Sequence, residues 1–89
     1  MIMPTVFIPA LLKELAEGAE TVEIEGSTVR EVVENLEAKF PGIRQRLCQG
    51  EELRSGLTVA VEGKVSPLGL MKKVSENSEV HFLPAIGGG

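Results

Sequence analysis

The chain has 89 residues, with thirteen acids against nine bases for a formal net charge of −4, and 43% of it is hydrophobic. That length makes one domain with a modest core, burying roughly two thirds of the surface that the unfolded chain exposes. The acidic balance works against non-specific nucleic-acid binding; no run nears the ~20 apolar residues of a membrane span; a lone Cys48 excludes an internal disulfide, and with a lone His81 is too little for a typical zinc site.

In chain order, Thr5-Val6-Phe7-Ile8 is β-branched and aromatic, ends at Pro9, and is expected to be a strand. From Ala10 to Gly18, Leu11, Leu12 and Leu15 fall at helical spacing with Gly18 as a C-cap, predicting a helical turn or two lying on the core. Thr21-Val22-Glu23-Ile24-Glu25 alternates apolar with polar residues before Gly26, as a half-buried strand does. The clearest helix starts at Thr28, whose spacing to Glu31 is that of a capping box, with Ser27 as an alternative cap. Val29, Val32, Val33, Leu36 and Phe40 form its apolar stripe, and Pro41-Gly42 ends it.

Ile43 to Cys48 is expected to form another helical turn, closed by Gly50. Leu57 to Val61 is strand-like, and Glu62-Gly63-Lys64 is a turn leading to Val65. Pro67 to Met71 suggests a short 3₁₀ or helical segment, and Glu76-Asn77-Ser78 a turn. Glu79 to Leu83 forms the last strand, with Val80 and Phe82 facing one way and His81 and Leu83 the other. Pro84, which cannot donate to a sheet ladder, is expected to mark where the chain leaves the sheet. One sheet with one principal helix across it is an α+β layout, with no repeat or low-complexity linker. The division is a folded domain over residues 1–84 and a flexible glycine tail over 85–89.

The element order and the ending Phe82-Leu83-Pro84-Ala85-Ile86-Gly87-Gly88-Gly89 resemble the MoaD/ThiS family of ubiquitin-like sulfur carriers. The family hallmark falls here on Phe82, Pro84 and the pair Gly88-Gly89, and the resemblance runs over essentially the whole chain. The stretches Leu36 to Ile43 and Leu83 to Ala85 look closest to the CysO-like branch, whose carrier supplies sulfur to a cysteine synthase. Gly87 departs from the alanine usual there. Molybdopterin-synthase small subunits and the carriers of thiazole synthesis share the ending, so the resemblance leaves cysteine, molybdopterin, thiamin and tRNA thiolation open as destinations.

The resemblance implies a β-grasp fold with one mixed sheet of four to five strands. It also implies that the carboxylate of Gly89 is the reacting group, adenylated with ATP by an activating enzyme and converted to a thiocarboxylate. The implied partners are that adenylating enzyme and a sulfur-accepting synthase, with the carrier a monomer or part of a hetero-oligomer. No cofactor is expected on the chain itself, ATP being used by the activating partner. Partner docking is assigned to Phe82, Leu83, Pro84 and Ala85, with Leu83 and Ala85 facing outward and Phe82 anchoring the strand.

Elementary chemistry agrees with that reading. A terminal carboxyl has a pKa of about 3.3–3.7, so at neutral pH it is a poor electrophile and needs activation. Glycine lacks Cβ, so Gly87, Gly88 and Gly89 thread a cleft in which larger residues clash. From Pro84 to Gly89 the extended chain reaches roughly 20 Å.

Bland readings hold elsewhere. Cys48 is expected to be a packing residue, His81 a surface or edge residue, and the recurring glutamates a solvated face. No nucleophile–base set, P-loop or metal-spaced cluster appears, so the chain is not expected to be an enzyme. The N-terminal Met1 to Pro4 lacks a basic n-region and a small-residue cleavage site, and the expected location is the cytoplasm. Two other functions share the same features: a ubiquitin-like modifier joined through Gly89 to target lysines, and a non-catalytic β-grasp subunit that only docks.

Overall fold

The computed structural model describes residues 2–84. Its strands are β1 (Thr5–Phe7), β2 (Thr21–Glu23), β3 (Cys48–Gln49), β4 (Glu52–Leu53), β5 (Leu57–Val61), β6 (Lys64–Ser66) and β7 (Glu79–Pro84). Its helices are α1 (Val29–Lys39) and the short α2 (Ile43–Leu47), with 3₁₀ turns at Ala10–Leu12 and Gly69–Met71. Five strands form a mixed sheet in the order β2-β1-β7-β5-β6, and β3 with β4 makes a separate small ribbon. Strand β1 runs parallel to β7, and every other pairing is antiparallel. This is the α+β architecture expected, with one principal helix over a five-stranded sheet.

Helix α1 forms where its stripe predicts. Val29, Val32, Val33 and Leu36 are buried, and Phe40 just beyond the helix joins them. They meet Val6, Val59, Val61, Val80 and Phe82 of the sheet in one core cluster. The cap is doubled. Thr28 Oγ1 accepts from the Glu31 N–H at 3.2 Å, while Glu31 Oε1 accepts from the backbone N–H and the hydroxyl of Ser27 at 2.9 and 2.8 Å. Those donors, the backbone N–H first, hold the Glu31 carboxyl below its usual pKa. Two backbone bonds then sew the helix start to the segment after β6: Val29 N–H to Lys72 carbonyl, and Val74 N–H to Ser27 carbonyl.

The far end of α1 is tied down by Glu37. Its carboxylate accepts from the Gly42 N–H and, at 2.8 Å, from the Arg44 N–H, capping α2 from the preceding helix. Gly42 adopts φ +99°, a left-handed conformation that only glycine takes without strain. Both backbone donors, Gly42 first, lower the Glu37 pKa.

Several expectations need correction. Leu11 does not lie on the core: it faces solvent, and Leu12 and Ala16 take the buried positions of that segment. The 3₁₀ turn has three residues per turn, which rotates Leu11 away from the face an α-helix would give it. Strand β2 stops at Glu23, although Ile24 beyond it is buried. Cys48 caps α2 and opens β3 instead of continuing the helix. The β3–β4 ribbon was not foreseen, because two-residue strands carry no readable alternation. Strand β7 runs one residue further than expected, with Pro84 opposite Leu57. By contrast, Glu62-Gly63 forms the expected turn, with φ of +57° and +79° as a two-residue hairpin of type I′ needs.

Two outcomes test this account. A Cβ placed on Gly26 would lie 2.8 Å from Val32 Cγ2 and 2.8 Å from the Val32 backbone nitrogen. Gly26→Ala is therefore expected to destabilise by about 1–3 kcal/mol in urea unfolding, and an unchanged midpoint would contradict the close approach. Glu37→Ala is expected to lower the melting temperature at pH 7. Because the folded pKa of Glu37 is depressed, its contribution is present above the unfolded value and lost as pH falls through the folded one. The gap between wild type and variant should accordingly close on acidification, as read by melts over a pH series.

Candidate functional site

Strand β7 carries the sequence-predicted site. It lies between β1 and β5, so it is central in the sheet. Its register places Val80 opposite Val61 and Phe82 opposite Val59, and all four side chains are buried under α1. The alternate residues point to the face that α1 leaves open. There His81 lies opposite Ala60, Leu83 opposite Thr58, and Phe7 of β1 beside His81.

The structure thus separates the predicted docking residues. Phe82 is only 5% exposed, so it anchors the strand from inside and offers no surface to a partner. Leu83 is 37% exposed on the open face, and Pro84 is exposed at the end of the ladder. Ala85, Gly87, Gly88 and Gly89 lie outside the described residues.

The open face also holds a feature that sequence reasoning missed. The rings of Phe7 and His81 stack with centroids 4.0 Å apart and planes 12° from parallel. His81 is therefore half-buried on the central strand, not an edge residue. Its Nε2 stands 3.7 Å from Glu79 Oε1, two residues back on the same face. The parallel β1–β7 pairing brings Phe7 to His81, and neither segment alone signals that contact. Leu83 continues the strip toward the end of β7, where the ladder closes at Pro84.

No catalytic constellation competes with this strand end among the described residues. Cys48 is buried, and its burial pushes the thiol pKa up, which disfavours the nucleophilic thiolate. No group of three or more His, Cys, Asp or Glu side chains is placed to hold a metal ion among the described residues. Likewise, no helix among them is long and apolar enough to cross a membrane. What the arrangement provides is a rigid strand, a half-apolar open face beside its end, and five residues beyond Pro84 that finish in three glycines.

Comparison with known proteins matches those features over nearly the full length. The ThiS family pattern matches residues 6–89, including the glycines. Sulfur carrier protein CysO of Mycobacterium tuberculosis is 30% identical over 90 residues, covering 96% of this chain and 97% of that protein. The crystal structure of the Amycolatopsis orientalis BexX/CysO complex contains a chain that superposes with a TM-score of 0.87 at 33% identity, covering 97% of this chain and 99% of that one. The small archaeal modifier protein 1 of Haloferax volcanii shares the fold alone, with a TM-score of 0.80 at 21% identity over 97% of this chain and 100% of that one. With a family pattern running from β1 to the last glycine and CysO proteins similar in both sequence and fold, the chain belongs to the ThiS family, within the CysO-like branch of the MoaD/ThiS ubiquitin-like proteins.

Proposed function

We propose that the protein is a sulfur carrier in which the carboxylate of Gly89 is the reacting group. The observation that carries this reading is the family match continuing through Gly89, joined to full-length similarity to a protein named as a sulfur carrier. In the proposed reaction the carboxylate attacks the α-phosphorus of ATP in an activating enzyme, and pyrophosphate leaves. A sulfur nucleophile then adds to the acyl carbonyl and AMP departs, so a C–S bond replaces the C–O bond to the adenylate. The thiocarboxylate sulfur then attacks an electrophilic acceptor held by a synthase, and water cleaves the acyl C–S bond to return the carboxylate of Gly89. Cysteine formation is the destination that the CysO similarity favours over molybdopterin or thiamin-type products.

The division of labour follows from entropy. Ordering an extended tail costs about 1–2 kcal/mol per residue in backbone freedom, so the folded body must contribute docking energy. Leu83 and Pro84 sit where such a contact adjoins the tail, and the Phe7–His81 stack extends the surface inward. That a similar chain occurs in a BexX/CysO complex supports a hetero-assembly with a partner protein.

Intact-mass analysis of the protein isolated from its host tests the reaction directly. The expected species has one oxygen replaced by sulfur; ladders of conjugated proteins without it would instead identify a modifier. Gly88→Val should keep the wild-type melting temperature yet abolish adenylation, measured as ATP–pyrophosphate exchange with the activating enzyme. Leu83→Asp should also remain folded, while raising the carrier's KM with that enzyme about tenfold, the effect of roughly 1.4 kcal/mol of lost contact.

A further inference from the structure

Among the described residues, three of the six large hydrophobic side chains that reach solvent fall within one seven-residue stretch. Val65 is 62% exposed, Leu68 57% and Met71 79%. Flanking them are Lys64, Lys72 and Lys73, three of the chain's five lysines. Val65, Leu68 and all three lysines line a single concavity of about 680 Å³, walled by Pro67 and by the β5–β6 turn at Glu62. Among the described residues none of these three lysines forms an ion pair, in a chain whose net charge is −4. Glu62, the carboxylate on the rim, accepts instead from the Glu79 backbone N–H at 3.3 Å.

We infer that this concavity docks an acidic segment of a partner protein that carries large apolar side chains. Charge complementarity selects the occupant: three lysines line the concavity and form no ion pair among the described residues, so carboxylates of a bound segment find cationic partners there. Val65 and Leu68 supply the apolar contact that a purely electrostatic encounter lacks. A concave shape takes a peptide segment, whereas a flat lipid surface would meet only its rim. The net negative charge of the whole molecule also opposes approach to an anionic membrane.

This surface is distinct from the tail. Val61, at one end of β5, lines the concavity, whereas Pro84 pairs with Leu57 at the other end. A strand of five residues places the two ends roughly 13 Å apart along the sheet. One partner could therefore hold the carrier here while another works on the tail.

The test titrates the full ¹⁵N-labelled chain with a short acetylated peptide of glutamates and leucines, alongside its glutamine-for-glutamate counterpart. Saturable amide shifts are expected at Lys64, Val65, Leu68, Lys72 and Lys73, suppressed by high salt and absent with the glutamine peptide. The double variant Lys72→Gln/Lys73→Gln should bind at least about threefold more weakly, the scale of two exposed charge contacts. Its melting temperature and its thiocarboxylate formation should both stay at the wild-type level, which separates this surface from the tail chemistry. No shifts at millimolar peptide, equal shifts with the glutamine peptide, or shifts centred on Phe7 and His81 would each overturn the inference. So would binding to phosphatidylserine vesicles without binding to the peptide, which would assign the concavity to a membrane.

Discussion

Strand β7 is hydrogen-bonded on both sides, parallel to β1 and antiparallel to β5, and the pleat of that one strand determines what the rest of the molecule faces. Val80 and Phe82 enter the core beneath α1, while His81 and Leu83 occupy the open face. A slip of one residue would expose the first pair and bury the second, since side chains alternate with a period of two. The α1 stripe of Val29, Val32, Val33 and Leu36 packs only against the correct register. Helix packing and strand pairing therefore enforce each other.

The position of this strand has a mechanical consequence for the proposed function. Pro84, the last described residue, belongs to a strand paired on both sides, not to an edge strand. Phe82, two residues earlier, is held by the core, so Pro84 is fixed relative to the open face. In the proposed function, a partner that engages Leu83 would meet the end of this strand at a defined distance and direction, which would limit the conformational search on binding. Proline adds to this by restricting its own φ where the ladder ends.

Much of this was legible because the long elements carry strong periodic signals. The α1 stripe, its Thr28–Glu31 cap, the in-and-out alternation of β7 and the Glu62-Gly63 turn are each written in local residue order. Failures came where the decisive interaction is remote or the element is short. Leu11 reads as core until the tighter 3₁₀ geometry turns it outward. Pro84, expected just past the strand, still pairs with Leu57, one residue beyond the expected bound, because a proline at a strand's end forfeits little of the ladder. The Phe7–His81 stack depends on a strand pairing that joins the two ends of the chain, and no short window of the sequence contains it. The residues of the lysine-lined concavity all lie between 61 and 78, but the way that stretch folds back on itself is not written in its residue order. Neither the open face nor the burial of Phe82 beneath α1 could be assigned until the sheet order was known.

A carrier that holds an activated acyl group must also avoid reacting with itself. Thiolates are the side-chain nucleophiles best suited to attack such an acyl carbon, and this chain has a single cysteine. Cys48, which ends α2 and opens β3, is buried, with its pKa raised chiefly by loss of solvent. Its sulfur is thus kept both protonated and out of reach. In the proposed chemistry, the same packing that makes Cys48 an unremarkable core residue leaves the incoming sulfur nucleophile without a thiol competitor from the carrier's own body.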